Sequence, residues 1–388
     1  MPINYKSAKI TSYFFSACFL ISPLSLSETG DITTPIEINQ NPSAQIASVS
    51  DSDISKIFAP KEKTLNYSFD YETLDTALRD VVVQMGPSLR RFANKPRTGI
   101  GSRIIDRTQR SPYRLEGSRI TFYYLSDKYT RTLSEYKADL IRIANDIDIQ
   151  SLDRDEQLAF WINLHNVTLI EAIALNHPTS YPAELEIGDN GLTLHDAKLI
   201  TIKNTPLSLK NIREDIVYSN WDNPAVIYGF YRGDIGGPAI RNFAATRNNV
   251  DYLLAFHAYE YITSLRGFHT TATSRKVSKI YDEAKPYFFT NWPKDVEDHL
   301  AFYLQGDDLL DDVRENKPVE LIEYDLIIAD LWGGNNSLSS ASVRSRTIPG
   351  SPPIIFELHE KFRELKVKGK LKRSGTVTIE DIVTTSSP

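Results

Sequence analysis

The chain has 388 residues, 41% hydrophobic and 24% charged, with a formal net charge of −6 and a single cysteine. That composition belongs to a globular protein with one large core or two modest ones, and it excludes a fibrous or wholly disordered chain. The acidic balance gives no support to a nucleic-acid partner, because phosphate neutralisation dominates affinity there.

Lys6 and Lys9 precede an apolar run from Tyr13 to Leu24, and Ser25-Leu26-Ser27 supplies small residues around a cleavage site. The run is short for a membrane span, so residues 1–27 are expected to be a secretory signal peptide and the protein to be exported, periplasmic or secreted. A lipoprotein anchored at Cys18 is the less favoured alternative, since Phe15 is a poor opening residue for a lipobox. Cleavage after Ser27 removes the only cysteine, leaving no disulfide, no thiol nucleophile and no cysteine-ligated metal. It also removes two lysines and no acid, which moves the net charge from −6 to −8.

Residues 28–63 are rich in Ser, Thr, Asp, Asn and Pro and read as a disordered tether, followed by a main domain over 64–320 and a C-terminal extension over 321–388 with a disordered tail. Leu74, Ala77, Leu78, Val81 and Val82 keep helical spacing from about Tyr71, residues 94–118 read as an arginine-rich loop, and Leu133 to Ile147 is an amphipathic helix. Asp153 to Pro178 is a long helix that is apolar nearly all round and therefore buried. Asp153 and Glu156 have capping-box spacing, and His177-Pro178 ends the segment. Leu199 to Ile202 is strand-like, Ser208 caps a short helix to Val217, and Ala225 to Tyr231 has strand composition. Further helices are expected over Val250–Leu265, Asp295–Leu304 and Pro353–Leu365, with short strands at Lys276–Ile280 and Val319–Ile322. No internal repeat is visible. The proportions predict an α+β fold, helix-dominated, with a small antiparallel sheet.

The segments LSEYKADLIRIANDIDIQSLDRDEQLAFWINLHNVTLIEAI, PLSLKNIREDIV, NPAVIYGFYRGDIGGPAI and VSKIYDEAKPYFF occur in that order. Together they resemble the domain-of-unknown-function 547 family (DUF547) over residues 120–305, with AFWINLHN the most specific motif. The resemblance implies a fold loosely like the papain and transglutaminase hydrolases. It also implies two histidines and two cysteines at positions that hold Glu214, Ile227, Arg232 and Gly237 in this chain. The resemblance thus implies a divergent member without the family's usual cysteines and histidines, and a pseudoenzyme candidate if the family acts through cysteine.

Three polar side chains, Asn163, His165 and Asn166, interrupt the apolar surface of the long helix. A lone histidine on an apolar face is more often a satisfied core residue than a base, and a buried asparagine pair more often braces a neighbouring loop than orients a catalytic group. The loop Arg232-Gly-Asp-Ile-Gly-Gly-Pro-Ala-Ile-Arg241 offers glycine amides and two arginines for an anion, although a tight structural turn explains it as readily. It has neither a phosphate-loop ending nor a dinucleotide fingerprint. No metal motif occurs and no cofactor is implied. A glycan or peptide groove using Trp161, Tyr228 and Tyr231 is a minor alternative.

The favoured reading is a non-thiol binding or envelope assembly module, with its ligand, or a partner envelope protein, meeting Asn163, Asn166, Arg232, Gly236, Gly237 and Arg241. The alternative is a cysteine-free hydrolase or transferase. His165 or His195 would be its general base, Asp234 or Glu214 the orienting acid, and the Gly236 and Gly237 amides its oxyanion hole. A third reading attaches the protein to anionic surfaces through the basic cluster Lys361, Arg363, Lys366, Lys368, Lys370, Lys372 and Arg373. No transmembrane segment is expected after cleavage.

Overall fold

A computed structural model describes residues 51–94, 110–125, 127–188, 191–334 and 354–370. The expected signal peptide with Cys18, most of the tether, and Lys372 and Arg373 lie outside the described residues. The fold is α+β, with helices dominant and the strands short and divided among small, mostly antiparallel sheets.

Helix α1 (Asp51–Ile57) falls in the segment expected to be tether, and its Ile54, with Phe58 just beyond, is buried in the main core. The chain then runs along the domain, with Lys61 N–H donating to Gln150 and those of Thr64 and Leu65 to Ser151. Tether composition loses there to two apolar anchors. Helix α2 (Glu72–Val81) buries Leu74, Leu78 and Val81 and leads directly into β1 (Val82–Gln84), which pairs antiparallel with β2 (Ser118–Ile120). Helix α3 (Asp127–Asp146) buries Leu133, Tyr136, Leu140 and Ile143, the expected stripe.

Helix α4 (Arg154–Leu175) is the spine of the domain. From Glu156 to Ile173 every residue except Asn166 is buried, which is the all-round apolar character of the sequence expressed as position. By length and composition it could cross a bilayer, but most of it is enclosed by the rest of the domain. Its N-terminus is capped as expected at Asp153, whose carboxylate accepts from Asp155 N–H at 3.1 Å. The capping box does not close. Glu156 turns instead to the arriving chain, accepting from Phe69 N–H at 3.0 Å and from the Ser68 hydroxyl at 2.9 Å. Glu171, near the other end, takes Ser134 Oγ at 2.6 Å and the Lys137 ammonium, both from α3.

After α4 come the two-residue strands β3 (Glu186–Ile187) and β4 (Leu192–Thr193) and the hairpin β5 (Lys198–Ile202) with β6 (Thr205–Ser208). Lys203 and Asn204 both have positive φ, 49° and 60°, as a two-residue hairpin turn with the right-handed strand twist requires. Ser208 ends the hairpin and caps α5 (Leu209–Asn211). Its hydroxyl accepts from Asn211 N–H, and Asn211 Oδ1 accepts from Ser208 N–H. The helix continues as a wider π-helical segment over Ile212–Tyr218.

The strand expected at 225–231 is instead a buried 3₁₀ helix, Pro224–Gly229. Asn223 caps it by accepting from Ala225 N–H, and Pro224 sits at its first position, so the Asn-Pro start signal outweighs the β-branched composition. Helix α6 (Val250–Ile262) packs on this turn. Strands β7 (Phe268–Thr270) and β8 (Arg275–Val277) precede α7 (Ile280–Phe288), a helix whose internal Pro286 hides it from sequence reading. Helices α8 (Lys294–Tyr303) and α9 (Leu309–Arg314) follow, and β9 (Val319–Leu321) joins β8 in parallel, a departure from a purely antiparallel arrangement.

Residues beyond 320, expected as an extension, are part of the core as far as Gly334. Ile235 N–H donates to Ile327, Gly236 N–H to Asp325 and Ile120 N–H to Ala329, while Ala329 N–H donates to Gly233. Asp330 holds this returning segment by accepting from Phe122, Trp332 and Gly334 N–H groups at 2.7–3.1 Å, and burial pushes its carboxyl up to about 6. Helix α10 (Ile354–Val367) closes a second small apolar cluster with Met85 and Leu331.

Candidate functional site

Asn163 and Asn166 each clasp one backbone strand with both ends of the amide. Asn163 Nδ2 donates to Ala245 O at 2.7 Å while its Oδ1 accepts from Ala245 N–H at 3.0 Å. Asn166 does the same between Gly229 O and Tyr231 N–H, both at 3.0 Å. Beside this face lies a cavity of only ≈ 20 Å³, walled by Leu74, Ile162, Val167 and Leu253 as well as the two asparagines and Arg241. That is room for about one water. Arg241 lies across the Phe256 ring at 4.3 Å and donates to Gln84 Oε1 at 3.3 Å.

The glycine loop is likewise occupied. Gly236 N–H is used by Asp325 and Gly237 N–H donates to Asp234 Oδ1 at 2.9 Å, so the amides expected to form an oxyanion hole already have partners. A Cβ on Gly236 would lie 2.9 Å from both Asp325 N and O, which explains the glycine by close backbone approach. Asp234 is buried, also accepts from Tyr324 Oη at 2.9 Å, and contacts neither candidate base. Burial raises its carboxyl to about 7.

His165 and His195 are brought together by a residue that sequence reading passed over. Arg213, on the π-helical segment, is 2% exposed, and its Nη1 lies 3.2 Å from His165 Nε2 and 3.4 Å from His195 Nδ1. A guanidinium only donates, so both imidazole nitrogens accept and both rings are neutral. The remaining nitrogen of His165, Nδ1, faces Asn166 Oδ1 at 2.9 Å and must carry the proton. Burial first, and then Arg213, hold both imidazoles well below the usual histidine range. Among the described residues neither histidine hydrogen-bonds to a carboxylate. The lone pair that a general base would need at each ring faces Arg213.

The charge of this cluster is offset in part from α7. Arg232 forks onto Glu283 at 2.9 and 2.6 Å, and Arg213 Nε reaches the same carboxylate at 3.3 Å. Burial opposes the charge on Glu283, but Arg232 and Arg213 outweigh it and hold the carboxyl far below the usual range. Tyr218 Oη stands 3.4 Å from Arg232 Nη2. Of the positions where the family resemblance expects histidine and cysteine, Arg232 and Gly237 are in contact range: a Cβ on Gly237 would lie 2.8 Å from Arg232 Cγ. Glu214 is electrostatically linked to Arg232, while Ile227 is core.

Glu214 borders an open polar cleft of ≈ 310 Å³ that sequence reading did not anticipate, lined by Asp196, Lys198, Ser208, Lys210, Asn211, Glu214, Asp215 and Tyr287. Burial, then the nearby Glu283, raise the Glu214 carboxyl. The signal for this site was the charge density of SLKNIRED on a capped helix; what was missing is the π-helical winding, which turns Arg213 inward. Among the described residues no group of three or more His, Cys, Asp or Glu is placed to hold a metal ion.

Two other expectations change. Trp161, Tyr228 and Tyr231 are buried in the main core and form no groove. In the basic cluster, Lys361 is buried, donating to the Gly86 and Leu115 carbonyls, and burial lowers its ammonium to about 8. Arg363 and Lys368 pair with Glu360 and Glu364 on their own helix, which leaves Lys366 and Lys370 as exposed cations without a partner among the described residues.

A family model described as "Protein of unknown function, DUF547" matches residues 149–262. Neither a comparison with curated proteins nor one with solved structures returns a match to the chain. The matched span contains α4, the capped hairpin and helix after it, and the loop 232–241, but not Glu283, the acid that pairs with its arginines. The chain therefore carries a domain of the DUF547 family, a protein family of unknown function, over residues 149–262.

Proposed function

We propose that this protein is an exported binding module of the DUF547 family that works without a thiol, and that its ligand enters the polar cleft bordered by the segment 208–215. The observation that carries the reading is the placement of Arg213 Nη1 between His165 Nε2 and His195 Nδ1. Base catalysis needs a free lone pair near a pKa suited to proton transfer, and both rings are committed as acceptors and hard to protonate. The cleft, by contrast, is polar, open and of ligand size.

The test combines a ligand screen by two-dimensional NMR on the full chain with a hydrolysis screen using activated esters and amides. Shift changes confined to cleft residues, with no turnover, support a binding module. Ester or amide turnover that disappears in His195→Gln overturns it.

A further inference from the structure

We infer that the cleft recognises a small zwitterion, an ammonium and a carboxylate on one short skeleton as in an amino acid or dipeptide, held by Glu214 and Lys210; this rests on the binding reading above. The two residues are four apart, opposite in charge, and both line the cleft. Opposite charges at that spacing on an α-helix can close on each other. They do so elsewhere in this chain, at Lys294–Asp298 (2.5 Å) and Lys368–Glu364 (2.7 Å). Lys210 and Glu214 form no such pair, and neither head group hydrogen-bonds to any described residue. The physical reason is the change of winding between them. Lys210 sits on α5 and Glu214 on the π-helical segment, so they are not stacked one turn apart.

The other charges of the cleft are already engaged. Lys198 donates to Asn211 Oδ1, Asn211 Nδ2 donates to Asp215 Oδ2 at 2.7 Å, and Asp196 accepts the Thr193 hydroxyl at 2.7 Å. Lys210 and Glu214, which feel each other's charge but share no hydrogen bond, therefore face the same ≈ 310 Å³ space. A simple anion would satisfy Lys210 and be repelled by Glu214, and a simple cation would meet the reverse. A zwitterion satisfies both. Tyr287 also lines the cleft. The volume sits at the small end of ligand sites, roughly 300–1,000 Å³.

The experiment titrates the full chain with alanyl-tyrosine, free tyrosine, N-acetylated alanyl-tyrosine and alanyl-tyrosine amide, read by calorimetry and NMR. The zwitterions should shift the signals of Lys210, Glu214 and Tyr287 and bind about tenfold or more tightly than either blocked form, the loss of one charge-assisted contact. Comparing dipeptide with free tyrosine identifies the source. In Glu214→Gln the advantage over the acetylated form should vanish, and in Lys210→Met the advantage over the amide. Lys210 is exposed and Glu214 half-buried, and circular dichroism checks that the fold is kept. Equal binding of parent and blocked forms overturns the zwitterion assignment while leaving a binding cleft. No shift with any probe up to about 10 mM removes both readings.

Discussion

Arg232 grips Glu283 with both prongs of its guanidinium, at 2.9 and 2.6 Å, joining the glycine loop to α7 across 51 positions of sequence. The pair sits behind the two neutral histidines and fixes the charge balance of the family domain with an acid from outside the matched span. Arg232→Ala removes the buried fork but leaves Glu283 partly exposed and still paired with Arg213, so it should cost roughly 1–3 kcal/mol in urea unfolding at pH 7. Glu283→Gln should cost at least as much, because it leaves two buried guanidiniums without their anion, and it should flatten the acid limb. The folded carboxyl is depressed, so its stabilisation is complete above the ordinary glutamate range and lost as pH falls below about 4.5. A wild-type acid limb identical to that of Glu283→Gln would contradict this.

The neutral histidines predict a second, separate pH effect. Both folded pKa values lie well below 6.5, so the unfolded chain takes up protons that the folded chain refuses, and stability must fall as pH drops below about 6.5. Melting temperatures between pH 7.5 and 5 should decline in the wild type and decline less steeply in His165→Gln. The slope should not vanish, because burial also depresses His195, His257 and His299.

Asn163 holds the Ala245 peptide from both sides. Asn163→Ala leaves one donor and one acceptor of that backbone unsatisfied in the core, at roughly 1–3 kcal/mol for each buried group. Asn163→Asp should be no better, since a carboxylate faces the Ala245 carbonyl where an amide donated. Guanidinium unfolding midpoints measure both; an unchanged midpoint in Asn163→Ala would falsify the bracing role.

Glu156 fastens the arriving chain rather than its own helix, through Phe69 N–H and Ser68 Oγ. Glu156→Ala should cost about 1–3 kcal/mol and release residues 64–70 locally, seen as faster amide exchange there than in α4. Asp153→Ala, by contrast, should cost about 1 kcal/mol through the lost cap without that local release.

Much of this was legible because it depends on neighbours in sequence. The 3.6-residue pattern placed α2, α3, α4, α6 and α8, Asp153 and Ser208 capped where their side chains reach nearby N–H groups, and AFWINLHN pointed to the family. The errors have equally definite causes. Buried β-branched residues at 225–231 mimic a strand, Pro286 masks a helix, and a polar segment with two apolar anchors mimics a tether.

The sequence by itself determined that α4 is a buried spine with polar side chains set into it, and that no cysteine accompanies the family domain. Only the tertiary structure decided what those side chains do. The partners of His165 and Arg232, namely Arg213 and Glu283, lie 48 and 51 residues away, and the partner of Asn163 lies 82 residues away. Which donor meets which acceptor across such distances is set by how helices and loops stack, not by any local spacing. The same holds for Lys210 and Glu214, whose four-residue spacing predicts a closed ion pair until the winding between them is known.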